Sequence, residues 1–233
     1  MYSFETRIGY SQVGKDKKLT MFDLINIFQD AGCFQSEDIG FGLDYLMGVN
    51  QGWFVTGYDV HINRLPEMGE KVVATTYPYS LKGMLGNRAY TIATTDGEVL
   101  IYGDSLWILM DLDKQSPARI PAEMIDAYGA DPKPDFSYNS LKLREAKNLF
   151  KVGQFSVHPL YIDTNGHMNN SFYIDVTRRY LPEDFTFGSF GINYKKPALL
   201  DDVLDVYVAL LEGDFQVVLK KGGETYTIVE YRA

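Results

Sequence analysis

The sequence predicts an α+β protein built from two similar halves. Each half begins with a strand-like segment, continues with one amphipathic helix and ends with several strands joined by tight turns. Asp96-Gly97 joins two long strand patterns in the first half, and Gly222-Gly223 joins two in the second. A proline also precedes a strand at corresponding places in both halves, Pro66 and Pro197. This internal echo indicates a duplication.

The first half contains one long helix among its strands. Thr20 fits an N-cap with Asp23 three residues later, and apolar residues recur at helical spacing from Phe22 to Phe28, which predicts a helix over 21–34. The expected strands cover 2–8, 53–62, 71–79, 85–95 and 99–112, and short helices are expected over 41–49 and 122–128.

The second half repeats this plan after a connector rich in proline, glycine and acidic residues. We assign 1–128 to an N-terminal unit, 129–147 to the linker and 148–233 to a C-terminal unit. Within the C-terminal unit a helix is expected over 169–180 and strands over 150–157, 187–194, 203–211, 215–220 and 225–231.

Composition excludes several classes of function. A net charge of −9 disfavours nucleic acid and anionic membranes as partners, and no apolar run is long enough to span a bilayer. One cysteine excludes an internal disulfide, and three scattered histidines give no zinc-ligand spacing. We therefore expect a cytoplasmic globular protein without a metal.

The polar string over 161–170 concentrates the residue types that chemistry requires. Asp163, Asn165 and His167 alternate, so an extended or irregular segment would project all three to one side. Asn169 or Asn170 then fits a helix N-cap, and a helix N-terminus suits a developing oxyanion. The same residues also fit an ordinary polar turn, in which Asp and Asn bond the local backbone.

A longer pattern resembles the acyl-acyl-carrier-protein thioesterase family. The string Asp-x-Asn-x-His-x-Asn-Asn, continued by 171–174, is similar to that family's signature. The segments that resemble its N-terminal half are, in order, 53, 64–72, 83–88, 96–98, 105–111 and 119–123. This resemblance covers most of the chain. It implies a double hotdog fold, in which each of two antiparallel sheets wraps one central helix.

The resemblance implies hydrolysis of a fatty acyl thioester held by acyl carrier protein. A carboxylate and an imidazole near a helix N-terminus can activate water without a covalent intermediate. We assign Asp163 to positioning or deprotonating water, directly or through His167. His167 is the general acid–base candidate, and Asn165 would orient water or the substrate carbonyl. No cofactor is expected.

The resemblance places the acyl tail between helix and sheet of the N-terminal half. The candidates for its pocket are Met21, Phe22, Ile25, Phe28, Trp53 and Phe54, although each also fits as core. Asn169 and Asn170 are further substrate-binding candidates. An acidic carrier requires cations, and the docking candidates are Lys82, Arg88, Arg178, Arg179, Lys195 and Lys196. Scattered solvated charge is the alternative, and a homodimer is left open.

One departure from the family pattern affects the mechanism. Plant members carry a Glu followed by a Cys after the second helix, whereas alignment puts Pro197 and Ala198 there. Either the trio acts alone, or Asp201 or Asp202 substitutes, or the alignment is shifted. Cys33, the only thiol, lies on a helix expected to be buried, so we expect direct attack by water.

Two other classes of function remain. One is an acyl-coenzyme A thioesterase or hydratase on the same fold. The other is an acyl-binding module that binds fatty acid without turnover. Comparing carrier-protein thioesters with coenzyme A thioesters as substrates discriminates the first class from a carrier-protein thioesterase. Binding without turnover identifies the second class.

Overall fold

The computed structural model describes residues 1–233, and the chain divides into two compact units, Met1–Tyr138 and Asn139–Ala233. The division falls inside the predicted connector. No helix of the chain is long and apolar enough to cross a membrane.

Unit 1 is an antiparallel sheet with one long helix packed on it. Its elements are β1 (Tyr2–Arg7), α1 (Met21–Asp38), α2 (Leu43–Gly48), β2 (Gln51–Ile62), β3 (Lys71–Lys82), β4 (Leu85–Thr94), β5 (Val99–Asp111), β6 (Ser116–Pro117) and α3 (Ala122–Tyr128). The strands follow the order β1-β3-β4-β5-β2, and β6 pairs with β5.

Helix α1 begins at the predicted cap. The Thr20 hydroxyl accepts from the Asp23 backbone N–H at 3.0 Å, and Leu24, Ile25 and Phe28 are buried at helical spacing. The Phe28 ring stacks on Tyr90 of β4 with centroids 4.5 Å apart. The cap and the apolar face predicted from sequence are therefore confirmed.

The end of α1 differs from the prediction. The helix continues to Asp38 because its last turns bury polar side chains that have partners. Gln35 accepts from the Arg88 guanidinium at 2.5 Å, and the Ser36 and Tyr128 hydroxyls lie 2.7 Å apart. The expectation that Cys33 is buried in the core is wrong, because Cys33 is exposed.

The opposite face of the unit 1 sheet carries a buried charged cluster. Asp59 on β2 and Asp104 on β5 are cross-strand partners, and both are buried. The Asp104 carboxylate accepts from the Tyr79 hydroxyl and from Lys133 Nζ at 2.6 Å. Lys133 also lies over the Tyr138 ring, 3.9 Å from its centroid. The segment 129–138 is therefore fixed to this sheet by the Lys133–Asp104 ion pair and by contacts of the Phe136 and Tyr138 rings with Tyr102 of β5.

Unit 2 has the same plan with a shorter helix. Its strands follow the order β7-β9-β10-β11-β8, all antiparallel. Its elements are β7 (Phe150–Ser156), α4 (Asn170–Arg178), β8 (Ser189–Tyr194), β9 (Val203–Leu210), β10 (Phe215–Lys221) and β11 (Glu224–Arg232).

The segment before β7 is held on the unit 2 sheet by side-chain amides. The Leu143 N–H donates to Asn193 Oδ1 at 2.8 Å, and the Ala146 N–H donates to Gln216 Oε1 at 2.8 Å. Leu143 itself is buried. This part of the predicted connector is therefore anchored to the sheet at Leu143 and Ala146.

The duplication is visible in the backbone hydrogen bonds. In unit 1 the Leu19 N–H donates to the Pro66 carbonyl at 2.9 Å, and in unit 2 the Met168 N–H donates to the Ala198 carbonyl at 2.8 Å. Pro66 therefore corresponds to Ala198. The expected equivalence of Pro66 with Pro197 is wrong by one residue, because the proline of unit 2 stands one residue before the position that the hydrogen-bond register matches to Pro66.

Candidate active site

The polar string forms a tight hairpin that leads into α4. An isolated antiparallel bridge joins Ile162 to Met168, and the Asp163 N–H donates to the His167 carbonyl at 2.8 Å. Gly166 closes the turn at a φ of +76°, a conformation that favours glycine. Of the two possibilities that the sequence left for the trio, an extended or an irregular segment, the structure has the irregular one, because a turn occupies these positions.

The carboxylate of Asp163 organises this turn. Its Oδ1 atom accepts from the Asn165 N–H at 2.8 Å and from the His167 N–H at 3.2 Å. Asp163 and His167 are half-buried, whereas Asn165 is exposed. One carboxylate oxygen is therefore fixed by the backbone, as in the polar-turn reading of the sequence.

The helix cap places this hairpin at the N-terminus of α4. The Asn169 Oδ1 atom accepts from the Ser171 N–H at 3.0 Å, which confirms the predicted cap. Asn170 is the first helical residue, and its carbonyl accepts from the Tyr194 hydroxyl at 3.0 Å. The partial positive charge of a helix N-terminus thus lies beside Asp163 and His167 in sequence and in fold.

Unit 1 builds the same hairpin from different residues. The Gly14 N–H donates to the Lys18 carbonyl at 3.0 Å, and a bridge joins Val13 to Leu19 before the Thr20 cap. By register, Gly14 takes the position of Asp163, and Lys18 takes that of His167. The backbone shape therefore requires neither a carboxylate nor an imidazole at these positions. Their presence in unit 2 needs another explanation.

The loop after β8 contains Asp201 and Asp202, the two acids considered above as substitutes for the Glu of plant members. Asp202 is buried, accepts from the Leu199 N–H at 2.9 Å and pairs with Lys221. Burial raises the pKa of the Asp202 carboxyl, but these two hydrogen bonds together lower it below its usual value. Asp202 is therefore an ionised anchor of the loop, and Asp201 is exposed at a φ of +66°.

The acyl-pocket candidates separate into two groups. Met21, Ile25 and Phe28 are buried on the face of α1 that meets the sheet, and Phe22 is half-buried. Trp53 packs with Leu46, Leu109 and Tyr128 on the same face of the sheet. Phe54 lies on the opposite face because neighbouring strand residues alternate. It does not lie between α1 and the sheet as the sequence predicted.

The docking candidates also separate. Arg88 is half-buried, and its guanidinium donates to Gln35 and to the Thr76 hydroxyl, so it faces the helix instead of solvent. The other five are exposed, although Arg179 pairs with Asp175 and Lys196 with Glu224, both at 2.5 Å. The exposed candidates are Lys82, Arg178, Arg179, Lys195 and Lys196.

The buried hydroxyl of Tyr173 is a feature that the sequence reading missed. It accepts from the Ala198 backbone N–H at 3.0 Å, so it contacts the loop after β8. Periodicity marks Tyr173 only as part of the buried face of a helix. Aligning the two halves on their caps would have drawn attention to it, because Leu24 occupies the same helical position in unit 1.

Two repeats of a helix packed on a five-stranded antiparallel path, one with a polar hairpin at its helix N-terminus, define the chain as a double hotdog protein. A family model described as the acyl-ACP thioesterase N-terminal domain matches residues 1–128, and one described as the C-terminal domain matches 144–229. The chain belongs to the acyl-ACP thioesterase family.

Named relatives match most of the chain. An oleoyl-acyl carrier protein thioesterase of Arabidopsis thaliana is 24% identical over 83% of this chain and 59% of the relative. An acyl-[acyl-carrier-protein] hydrolase of Cuphea viscosissima is 26% identical over 87% and 54%. Both relatives are described as chloroplastic. The chain thus spans less than two thirds of the length of these curated relatives.

Two solved structures share the fold. An acyl-ACP thioesterase from Bacteroides thetaiotaomicron superimposes with a TM-score of 0.86 at 22% identity, covering 99% of this chain and 96% of that one. A 12:0-ACP thioesterase from Umbellularia californica gives 0.82 at 20% identity, with the same coverage. Their overall topology is that of this chain.

Proposed function

We propose that the chain hydrolyses fatty acyl thioesters of acyl carrier protein and releases free fatty acid. The observation that carries this proposal is the Asp163–His167 hairpin at the N-terminus of α4, where the unit 1 copy has Gly14 and Lys18. The same backbone therefore carries an acid–base pair in one unit only. Membership of the family supplies the substrate class.

The mechanism uses water directly. Asp163 holds the turn and supplies negative charge, and His167 accepts a proton from water as the water oxygen attacks the thioester carbonyl carbon. The developing oxyanion is stabilised by the helix N-terminus. Collapse of the tetrahedral intermediate breaks the carbon–sulfur bond, and the departing thiolate takes the proton from His167. Asn165, which is exposed, would orient water or the carbonyl, and Asn169 and Asn170 would contact the substrate.

The acyl tail would enter unit 1 between α1 and its sheet. The residues we retain for this pocket are Met21, Phe22, Ile25, Phe28 and Trp53. A tail lying against them would be apolar along its length, which fits a fatty acyl group. We also propose a cytoplasmic location and leave the homodimer as a proposal for solution measurements.

A substrate panel tests this function. Purified protein is mixed with carrier-protein thioesters of several chain lengths and with the corresponding coenzyme A thioesters, and thiol release is followed over time. Turnover of the carrier-bound series with a higher kcat/KM supports the proposal. Preference for coenzyme A thioesters identifies the alternative enzyme class. Binding of fatty acid without thiol release identifies an acyl-binding module.

Replacing Cys33 should leave hydrolysis unchanged. Although Cys33 is exposed as a residue, desolvation of its thiol by neighbouring protein atoms, followed by the Asp30 charge, raises the pKa of Cys33, which disfavours the nucleophilic thiolate. The imidazole of His61, the histidine of unit 1, is bonded to Asp59 on the opposite face of the sheet. We expect Cys33→Ala to keep kcat within about twofold, and no acyl-enzyme in mass spectra after rapid acid quench. A mass adduct on Cys33 would replace the direct-water mechanism.

Charge reversal at the docking candidates should weaken recognition of the carrier. Arg178 and Lys195 should contribute most, because Arg179 and Lys196 already pair with Asp175 and Glu224. We expect Arg178→Glu with Lys195→Glu to raise KM for an acyl carrier protein about tenfold or more and to flatten its salt dependence. KM for a small thioester should change little.

The matched control for this experiment is Lys147→Glu, an exposed lysine outside the set. It changes net charge by the same amount per site. Equal increases in KM from the control and from the docking variants would show that net charge, and no local surface, governs binding. Equal effects on carrier-bound and small thioesters would indicate damage to the active site.

A further inference from the structure

The backbone of Ala198 joins the hairpin to helix α4. Its N–H donates to the Tyr173 hydroxyl at 3.0 Å, and its carbonyl accepts from the Met168 N–H at 2.8 Å. Met168 follows His167 directly, and Tyr173 is 2% exposed. A continuous chain of two hydrogen bonds therefore runs from the helix through the loop to the hairpin.

Unit 1 lacks both partners of the first of these bonds. Leu24 takes the place of Tyr173 four residues after the cap, and Pro66, which has no N–H, takes the place of Ala198. The second bond is kept, since the Leu19 N–H donates to the Pro66 carbonyl. The hairpin thus forms without the tyrosine link. Donor and acceptor are both present only in the unit that carries Asp163 and His167.

We propose that Tyr173 is a positioning residue that holds the Asp163–His167 hairpin in its reactive geometry, a role that rests on the proposed function. It acts through Ala198 and touches neither water nor substrate. Hydrogen bonds at both the N–H and the carbonyl of Ala198 restrict movement of Met168 and hence of the His167 backbone. Small displacements of an acid–base group cost large factors in rate, so a rigid anchor has value where the chemistry occurs.

The link remains neutral over the working pH range. Burial raises the pKa of the Tyr173 hydroxyl; the Ala198 bond lowers it, and the charges of Asp163 and Asp202 raise it again, with a net increase. The hydroxyl therefore stays protonated and keeps its lone pair for the Ala198 N–H. Its action on the site is geometric.

The test compares two buried tyrosines of unit 2. Tyr231→Phe is the matched control, because the Tyr231 hydroxyl lies 2.7 Å from the Thr177 hydroxyl on the same helix and away from the hairpin. We expect Tyr173→Phe to lower kcat about tenfold to a hundredfold with KM within about twofold, and to move the limbs of the pH profile of kcat. Tyr231→Phe should lower Tm by about as much as Tyr173→Phe does, and it should leave kcat and the pH profile of kcat unchanged.

Amide hydrogen exchange gives a readout that does not depend on turnover. In Tyr173→Phe the Ala198 and Met168 amides should exchange about tenfold faster, and in Tyr231→Phe they should exchange at the wild-type rate. This measurement separates the two proposals. If the wild-type protein shows no turnover, the proposed function is contradicted, but the exchange rates still test whether Tyr173 anchors the hairpin. Unchanged exchange in Tyr173→Phe overturns the anchor. Unchanged kcat and pH profile in an active enzyme overturn its positioning role.

A second variant covers the case in which Tyr173→Phe does not fold. Ala198→Gly keeps both backbone bonds and leaves the tyrosine in place, but it loosens the loop between them. We expect its kcat to fall in the same direction as in Tyr173→Phe, with KM unchanged. Wild-type kcat in this variant would show that the Ala198 link does not control the hairpin.

Discussion

Replacing His167 by alanine should lower kcat by about two to four orders of magnitude, which is the usual effect of losing a positioned acid–base group. His167 is half-buried beside the N-terminus of α4, and its backbone N–H is held by Asp163. The side chain is not part of that backbone bond, so the alanine variant keeps the turn. Its Tm should stay near that of wild type.

Asp163→Asn should lower kcat by a similar factor for a different reason. Asparagine keeps one acceptor oxygen for the Asn165 and His167 N–H groups, so the hairpin survives. The variant loses the negative charge that stabilises an imidazolium or holds the attacking water. Its loss of rate therefore measures the charge of Asp163 with little contribution from the turn.

Unit 1 supplies matched controls for both variants. Lys18 occupies the position of His167 in the copied hairpin, and the Asp16 carboxylate accepts from the Lys18 N–H, as the Asp163 carboxylate accepts from the His167 N–H. Lys18→Ala and Asp16→Asn should leave kcat within about twofold, since these residues lie outside the proposed site. Near-wild-type thiol release from His167→Ala or Asp163→Asn would remove that residue from the mechanism. Equal losses in the controls would point to a general effect on folding.

Periodicity predicted most elements because one face of each is more buried than the other. The short helix expected over 122–128 is observed as α3 (Ala122–Tyr128), and both glycine-containing hairpin turns lie between the expected strands. Thr20 and Asn169 cap α1 and α4 through side-chain oxygens, which is a local interaction readable from residue type. Local chemistry and a regular period were sufficient in these places.

The hairpin geometry was not readable from the same signals. Alternation of Asp163, Asn165 and His167 matches a strand, but Gly166 at positive φ and the Asp163 side chain both favour a turn. The competing polar-turn reading described the backbone correctly. It did not exclude chemistry, because a rigid turn also fixes the groups that a reaction needs.

Residues whose environment depends on strand register were the hardest to place. A bulge in β2 between Val55 and Gly57 resets the faces of that strand, and Phe54 lies opposite to Trp53 across the sheet. Arg88 was expected at the surface as a cation, yet Gln35 and Thr76 bind it at the helix–sheet contact. Only the pairing of distant strands and helices determines which face such residues occupy.

Removing the cation of the buried cluster should have the largest effect on stability. Asp104 faces Asp59 across β2 and β5, and Lys133 and the Tyr79 hydroxyl bind its carboxylate. Burial raises the pKa of Asp104 despite the opposing effect of Lys133. Its ionised form is therefore costly, and Lys133 offsets part of that cost.

We expect Lys133→Met to lower the free energy of unfolding by about 3 kcal/mol near neutral pH, because it leaves a buried carboxylate without its cation. The pKa of Asp104 is higher in the folded state than in the unfolded state, so the free energy of unfolding falls as pH rises from the unfolded-state pKa to the folded-state pKa. Removal of Lys133 raises the folded-state pKa further, so this fall continues to higher pH. The deficit should therefore be larger at about pH 8 than at about pH 5. Urea unfolding at both pH values measures this deficit.

Lys133→Met combined with Asp104→Asn should recover much of the lost stability, since the buried charge is then absent. A deficit independent of pH, or unrelieved in the double variant, would show that Lys133 acts through packing on Tyr138 instead of through its charge.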